Sequence, residues 1–179
     1  MERSDQMKKI YIKIFFLIMM LSNLVFLAGC QKDENQEIGE AFIRTQINCG
    51  TYITSAGDEE VLKKVFLEFF TEETYQQYLE DAVGYFYPQL FYMLNADESN
   101  IHKIKCTKEK ENADGTTTYE FTVKYTLVDL DEDQKKAINT VKLEDYLQIS
   151  VNGEHKITKV IILNTSDIIK KLFLDIKVQ

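Results

Sequence analysis

"TYEFTVKYTLV", residues 118–128, decides the fold. Tyr119, Phe121, Val123, Tyr125 and Leu127 are apolar, and Thr118, Glu120, Thr122, Lys124 and Thr126 between them are polar. A period of two puts one set on each face of a pleated strand, so this is an antiparallel strand with one face buried and one wet. Such a strand needs neighbours. "NIHKIKCTKEKE" (100–111) precedes it through the turn signal "NADG" (112–115), and "YLQISV" (146–151) and "EHKITKVIIL" (154–163) follow. Asn152-Gly153 joins the last two as a hairpin signal. Four strands in sequential antiparallel order make a meander.

Upstream the period changes. Ile38, Ala41, Phe42, Cys49, Tyr52 and Ile53 recur at helical steps, until "TSAGD" (54–58) breaks the pattern. Asp58 is placed to cap a second helix with Val61, Leu62, Val65, Phe66, Phe69 and Phe70 as its stripe. Thr71 before Glu72 and Glu73 has the form of a fresh N-cap, opening a short helix over about 72–83 that carries Tyr75, Tyr78 and Leu79. "TSDIIKKLFLDIKV" (165–178) reads as a final helix, with "FLDIKV" open to extending as a strand instead. The expected class is α+β: N-terminal helices packed on a four-stranded antiparallel meander, with a C-terminal helix.

The first 30 residues have another character. Lys8, Lys9 and Lys13 lead into an apolar run of 16 residues, Ile14 to Gly29, interrupted at Ser22 and Asn23. That is the layout of a secretory signal peptide, and it falls short of the roughly 20 residues that span a bilayer as a helix. Translation is expected to start at Met1 or at Met7. The run ends Leu27-Ala28-Gly29-Cys30, and this tetrad resembles the lipobox of bacterial lipoproteins. The resemblance implies that the Cys30 Sγ carries diacylglycerol and that cleavage before it makes Cys30 the first mature residue. Two acyl chains, at about 0.8 kcal/mol per buried CH₂, anchor stably where one would be marginal. The expected division is a leader over 1–29, lipidated Cys30 with a polar tether to residue 37, and one domain over 38–179. The expected location is the extracytoplasmic face of the cell membrane.

Charge narrows the partners: an acidic body is weakly repelled by anionic lipid headgroups, so something other than surface charge must hold it at a membrane. Residues 1–29 hold Arg3, Lys8, Lys9 and Lys13 with Glu2 and Asp5, so the remainder keeps 17 basic and 27 acidic residues, a net charge of −10. An acidic body repels phosphate backbones, so nucleic acid is not an expected partner.

The order of elements, with the break in "FFTEETYQQYL", resembles the nuclear-transport-factor-two-like, or SnoaL-like, cone folds over roughly residues 37–163. A cystatin-like helix-on-sheet fold is the alternative. In the cone superfamily, helices close one side of a curved sheet, and members include isomerases, dehydratases and non-catalytic binding domains. Enzymes of that kind place a His, Asp or Tyr in the cone.

The candidates for such a place are Tyr85, Tyr87 and Tyr92 around Pro88, together with His102, which by a period of two shares a face with Ile104 and Cys106. The competing reading makes the aromatics core and His102 a rim residue. Cys49 and Cys106 are either bridged, as the compartment permits, or two buried thiols. Asp129, Asp131 and Asp133 imitate a calcium loop, but Gln134 stands where Gly is needed and Thr140 where Glu is needed. No G-x-S-x-G, Walker A, G-x-G-x-x-G, H-E-x-x-H or C-x-x-C pattern occurs. The expectation is a non-catalytic binding or accessory module without metal or cofactor, whose partner is a protein or small ligand. The alternative is a cone-pocket isomerase or dehydratase using a Tyr and His102 as its acid–base pair.

Overall fold

The computed structural model describes residues 33–56, 59–81, 83–133, 136–165 and 167–170, with side chains left out for 50–62. The folded unit is Glu34–Gln179. The leader, Cys30, Asp58 and residues 171–179 lie outside the described residues.

Four helices precede the sheet: α1 (Glu34–Ala56), α2 (Glu59–Phe66), α3 (Glu72–Glu80) and α4 (Val83–Met93). The strands β1 (Glu98–Glu111), β2 (Thr117–Leu130), β3 (Ala137–Val151) and β4 (Ile157–Ile162) pair in the order β1-β2-β3-β4, each antiparallel to the next. A short C-terminal helix includes 167–170. The α+β arrangement is the expected one. Its first helix begins at Glu34, so Glu34–Glu37, read from the sequence as tether, are helical.

Period-two burial is obeyed closely. Tyr119, Phe121, Val123, Tyr125 and Leu127 are buried, as are Leu143, Leu147, Ile149 and Val151 on β3. α1 and α4 cover this face, and Tyr75 and Tyr78 of α3 join the core beneath them. On α1 the covering stripe is Gly39, Phe42, Ile43, Gln46, Ile47 and Cys49, while Ala41 points outward. Gly39 sits where α1 crosses the sheet: a Cβ there would stand 2.8 Å from Phe121 Cζ. Only the smallest residue allows this approach.

Phe42 is the centre of an aromatic cluster, edge-on to Phe66, Phe69, Phe70 and Tyr78 at centroid distances of 5.3–6.1 Å. Such pairs add about 0.5–1.5 kcal/mol each beyond the area they bury. The chain after α2 runs along the sheet, with Phe70 forming a parallel bridge to Ile157 and the Ile157 N–H donating to the Phe69 carbonyl at 2.8 Å. Lys156 Nζ reaches back to the carbonyls of Leu67 and Glu68 at 3.3 and 2.8 Å, a cation on groups a helix end leaves unsatisfied. Thr71 then caps α3 as its sequence suggests: its hydroxyl accepts from Thr74 N at 3.2 Å, and Thr74 Oγ1 accepts from Thr71 N at 3.1 Å.

Two features depart from the sequence reading. Asn152-Gly153 does not form a two-residue turn. The loop runs from Asn152 to Lys156, with the Asn152 carboxamide oxygen accepting from Glu154 N and Lys156 N. The loop from Asn112 to Thr116 closes in the same way, and its fourth position is Gly115 at φ +82°, where the second loop puts His155 at φ +60°. The left-handed position favours glycine, and Asn152-Gly153 places its glycine two residues too early to fill it. The other departure is "VGYFYPQLFYM", which is α4, a helix that retains Pro88 in its interior.

Candidate functional site

The inward face of β3 reads Leu143, Asp145, Leu147, Ile149, Val151. Asp145 is a carboxylate in an apolar phase, and it is fully buried. Tyr87, from the inward side of α4, donates its hydroxyl to Asp145 Oδ2 at 2.5 Å and is itself fully buried. Tyr125 is the diagonal neighbour of Asp145 on β2, and its ring meets that of Tyr87 edge-on at 6.1 Å. The other carboxylate oxygen, Oδ1, and the Tyr125 hydroxyl make no hydrogen bond of good geometry, yet Tyr125 is close enough to Asp145 to favour its charged form.

Burial penalises the charged form of Asp145 and pushes its pKa up to about 6, against the opposing pull of the tyrosine hydroxyls. Burial and the neighbouring carboxylate push both Tyr87 and Tyr125 well above the ordinary tyrosine value. A second polar contact lies nearby under α1: Gln46 Nε2 donates to the Tyr78 hydroxyl at 2.7 Å and to the Val83 carbonyl at 3.4 Å, leaving Gln46 Oε1 unpaired. The core thus holds two polar contacts whose accounts do not close.

The residues expected to line a pocket do not converge. Tyr85 and Tyr92 project from the outer side of α4, 49% and 81% exposed, while Tyr87 points the opposite way into the core. His102 is also outside. The register of β1 against β2 shifts between Ile101 and Lys103, leaving His102 as the extra residue of a β-bulge. The bulge flips the phase, so Ile101, Ile104 and Cys106 pack against the core while His102 stands on the outer face, hydrogen-bonded to Thr126. The expectation that His102 shares the Ile104 face is corrected by that one residue. His102 and the buried tyrosine are therefore on opposite sides of the sheet.

Cys49 and Cys106 are both free, Cys49 buried and Cys106 half-buried, so the bridge left open by the sequence is not formed. Asp129 and Asp131 flank the β2–β3 turn and accept from Asn95 Nδ2 and Lys136 N, at 3.2 and 3.3 Å. Among the described residues no group of three His, Cys, Asp or Glu side chains is arranged to hold a metal ion, and no helix is long and apolar enough to cross a membrane.

The open depressions lie elsewhere. One of about 500 Å³ is on the outer face of the sheet, with Asn112, Asp114, Thr118, Gln148, Ser150 and Lys159 among its lining. Another, of about 480 Å³, runs between the start of α4 and β4, with Val83, Phe86, Val160, Ile162 and Ile169 among its lining. Neither is lined by Asp145. Comparison with protein-family models, curated proteins and solved structures returned no match to this chain.

Asp145 escaped the sequence reading because β3 was taken to begin at Tyr146. The signal was present: extending the odd phase backward from Val151 through Ile149 and Leu147 arrives at Asp145 and then Leu143. One acid in that phase marks a buried carboxylate.

Proposed function

We propose that this protein is an extracytoplasmic lipoprotein, anchored in the cell membrane through diacylglycerol on Cys30, whose domain acts as a non-catalytic binding or accessory module. The observation that carries the reading is Leu27-Ala28-Gly29-Cys30 at the polar edge of a 16-residue apolar run behind three lysines. The start of α1 at Glu34 is consistent with it, since a short covalent lead joins the domain to the anchor. The sequence of helices and then an antiparallel meander, with the helices on one sheet face, supports a cone-type scaffold for that module.

The enzyme alternative is less well supported. A general acid or base must come within hydrogen-bond reach of its substrate, and the raised carboxylate, Asp145, is 0% exposed. Tyr87 and Tyr125, both buried, stand against it. We read Asp145 as a structural group. Growth of the native host with an alkyne fatty acid tests the anchor: the native chain should take the label and Cys30→Ser should not. Equal labelling of the two, or none of either, overturns the reading.

A further inference from the structure

We propose that the outer face of the sheet is a docking surface for anionic lipid headgroups, which lays the anchored domain against the bilayer. The proposal rests on the lipid-anchor reading for the closeness of the membrane, and on the following geometry for the face itself.

The register places Lys103, Lys105, Lys108 and Lys110 of β1 on the outer face, with Lys124, Lys142 and Lys159 on the other strands. At about 3.3 Å per residue, the β1 lysines alone form a line roughly 23 Å long. The strand acids on this face are Glu98, Glu120 and Glu144, and Asp114 of the β1–β2 loop lines its depression. Glu120 is taken up by Lys108 at 3.0 Å and Glu144 by Lys124 at 3.3 Å. Lys103, Lys105, Lys110 and Lys159 have no ion-pair partner among the described residues. A chain whose residues 30–179 carry a net −10 therefore concentrates unneutralised positive charge on one face.

Lysines on an edge strand guard against edge-to-edge pairing, and β1 is an edge. That purpose does not account for Lys103 standing directly opposite Lys124, since like charges across a strand pair are destabilising. Nor does it account for the apolar groups beside them. Tyr146, in register with Thr122 and Lys105, is 43% exposed, and Leu163, whose N–H donates to the Tyr146 carbonyl, is 53% exposed. A face of lysines, densest on β1, with an exposed aromatic and a leucine among its β3 and β4 positions matches an anionic bilayer surface, where ammonium groups meet phosphates and amphipathic rings sit at headgroup depth.

The first residues of α1 lie at one end of the sheet. His155, in the β3–β4 loop, binds Asn35 Oδ1 through Nδ1 at 2.7 Å and lies 3.7 Å from the Glu34 carboxylate. Cys30 is four residues before Glu34, so a lipid on it would be tied to the domain by a lead of at most about 14 Å. The row Lys110, Thr118, Ser150, Lys159 lies at that end of the outer face.

The test uses the full chain, produced in a lipoprotein-processing host and reconstituted into vesicles of phosphatidylcholine alone or mixed with phosphatidylglycerol. Lysine acetylation is read residue by residue by mass spectrometry. On the anionic vesicles, Lys103, Lys105 and Lys110 should react slower by about fivefold or more than on neutral ones, with Lys64 on the helical side unchanged, and the protection should fade in high salt. The triple variant Lys103→Glu, Lys105→Glu, Lys110→Glu should abolish the protection at Lys159 while keeping the native melting temperature. Equal labelling on both vesicles overturns the proposal. So does protection that arises only in native membranes and never on pure lipid, which would assign the face to an acidic protein. The same spectra report the N-terminus, so loss of the anchor reading is seen separately from loss of the docking face.

Discussion

The Tyr87 hydroxyl donates to Asp145 Oδ2 at 2.5 Å across the packed boundary between α4 and β3, while Asp145 Oδ1 makes no hydrogen bond of good geometry. The pair ties the last helix before the sheet to a central strand. One half-satisfied carboxylate in a dry core makes stability depend on pH with an unusual sign.

The folded-state pKa of Asp145 lies near 6, above its ordinary 3.8, because burial penalises the charge. The native state therefore holds its proton more tightly than the unfolded chain does. The contribution is full below pH 4 and is lost as pH rises through 6, a swing of about 3 kcal/mol at 1.36 kcal/mol per unit. Asp145→Asn removes the titration while keeping the size of the side chain. Urea denaturation should find the variant more stable than the native chain at pH 8, with the advantage shrinking toward pH 4. A difference that does not vary with pH would show that Asp145 has an ordinary pKa.

Gly39→Ala sets helix propensity against packing. Alanine in a helix gains about 1 kcal/mol over glycine, but its Cβ would meet the buried Phe121 ring at 2.8 Å. Overpacking of this kind costs about 1–3 kcal/mol, so the clash should win. The denaturation midpoint should fall at constant m-value, and Phe121→Leu in the same chain should recover part of the loss. A rise in the midpoint would mean that α1 does not lie so close to β2.

Gln46 and Tyr78 should respond asymmetrically. Tyr78→Phe removes the better acceptor of the Gln46 carboxamide, which already has one unpaired oxygen, and should cost about 1–3 kcal/mol. Gln46→Met removes the polar group itself and should cost less. Thermal melts of the two variants check the order, and the reverse order would show that Gln46 is satisfied.

The two thiols should be distinguishable by reactivity. Cys106 is half-buried and Cys49 buried, with burial raising both pKa values. A thiol reagent at pH 8 should modify Cys106 slowly in the native protein and Cys49 only on unfolding. In the mature chain, with the Cys30 sulfur held in a thioether, two thiols should be counted in denaturant without reductant, and a count of zero would establish a disulfide.

The sheet was readable because one physical rule, alternation between a wet and a dry face, governs nearly every residue of β2. Thr71 was readable because a cap is a local bargain among four residues. His102 was misplaced because a bulge adds a residue without changing the composition that announces a strand. Pro88 hid α4 because a proline inside a helix is disfavoured locally and tolerated when the buried face, here Tyr87, Leu90 and Phe91, is strongly apolar. Asp145 and Tyr87 are 58 residues apart and meet only through packing. The lysine face needed the register, since the two bulges of β1 decide which lysines line up.

Intact and peptide mass spectrometry of the protein from its native membrane tests the central claim most directly. The account predicts a mature N-terminus at Cys30 carrying a diacylglyceryl group on Sγ. A chain that still begins at Met1 or Met7, with Cys30 unmodified, would contradict it.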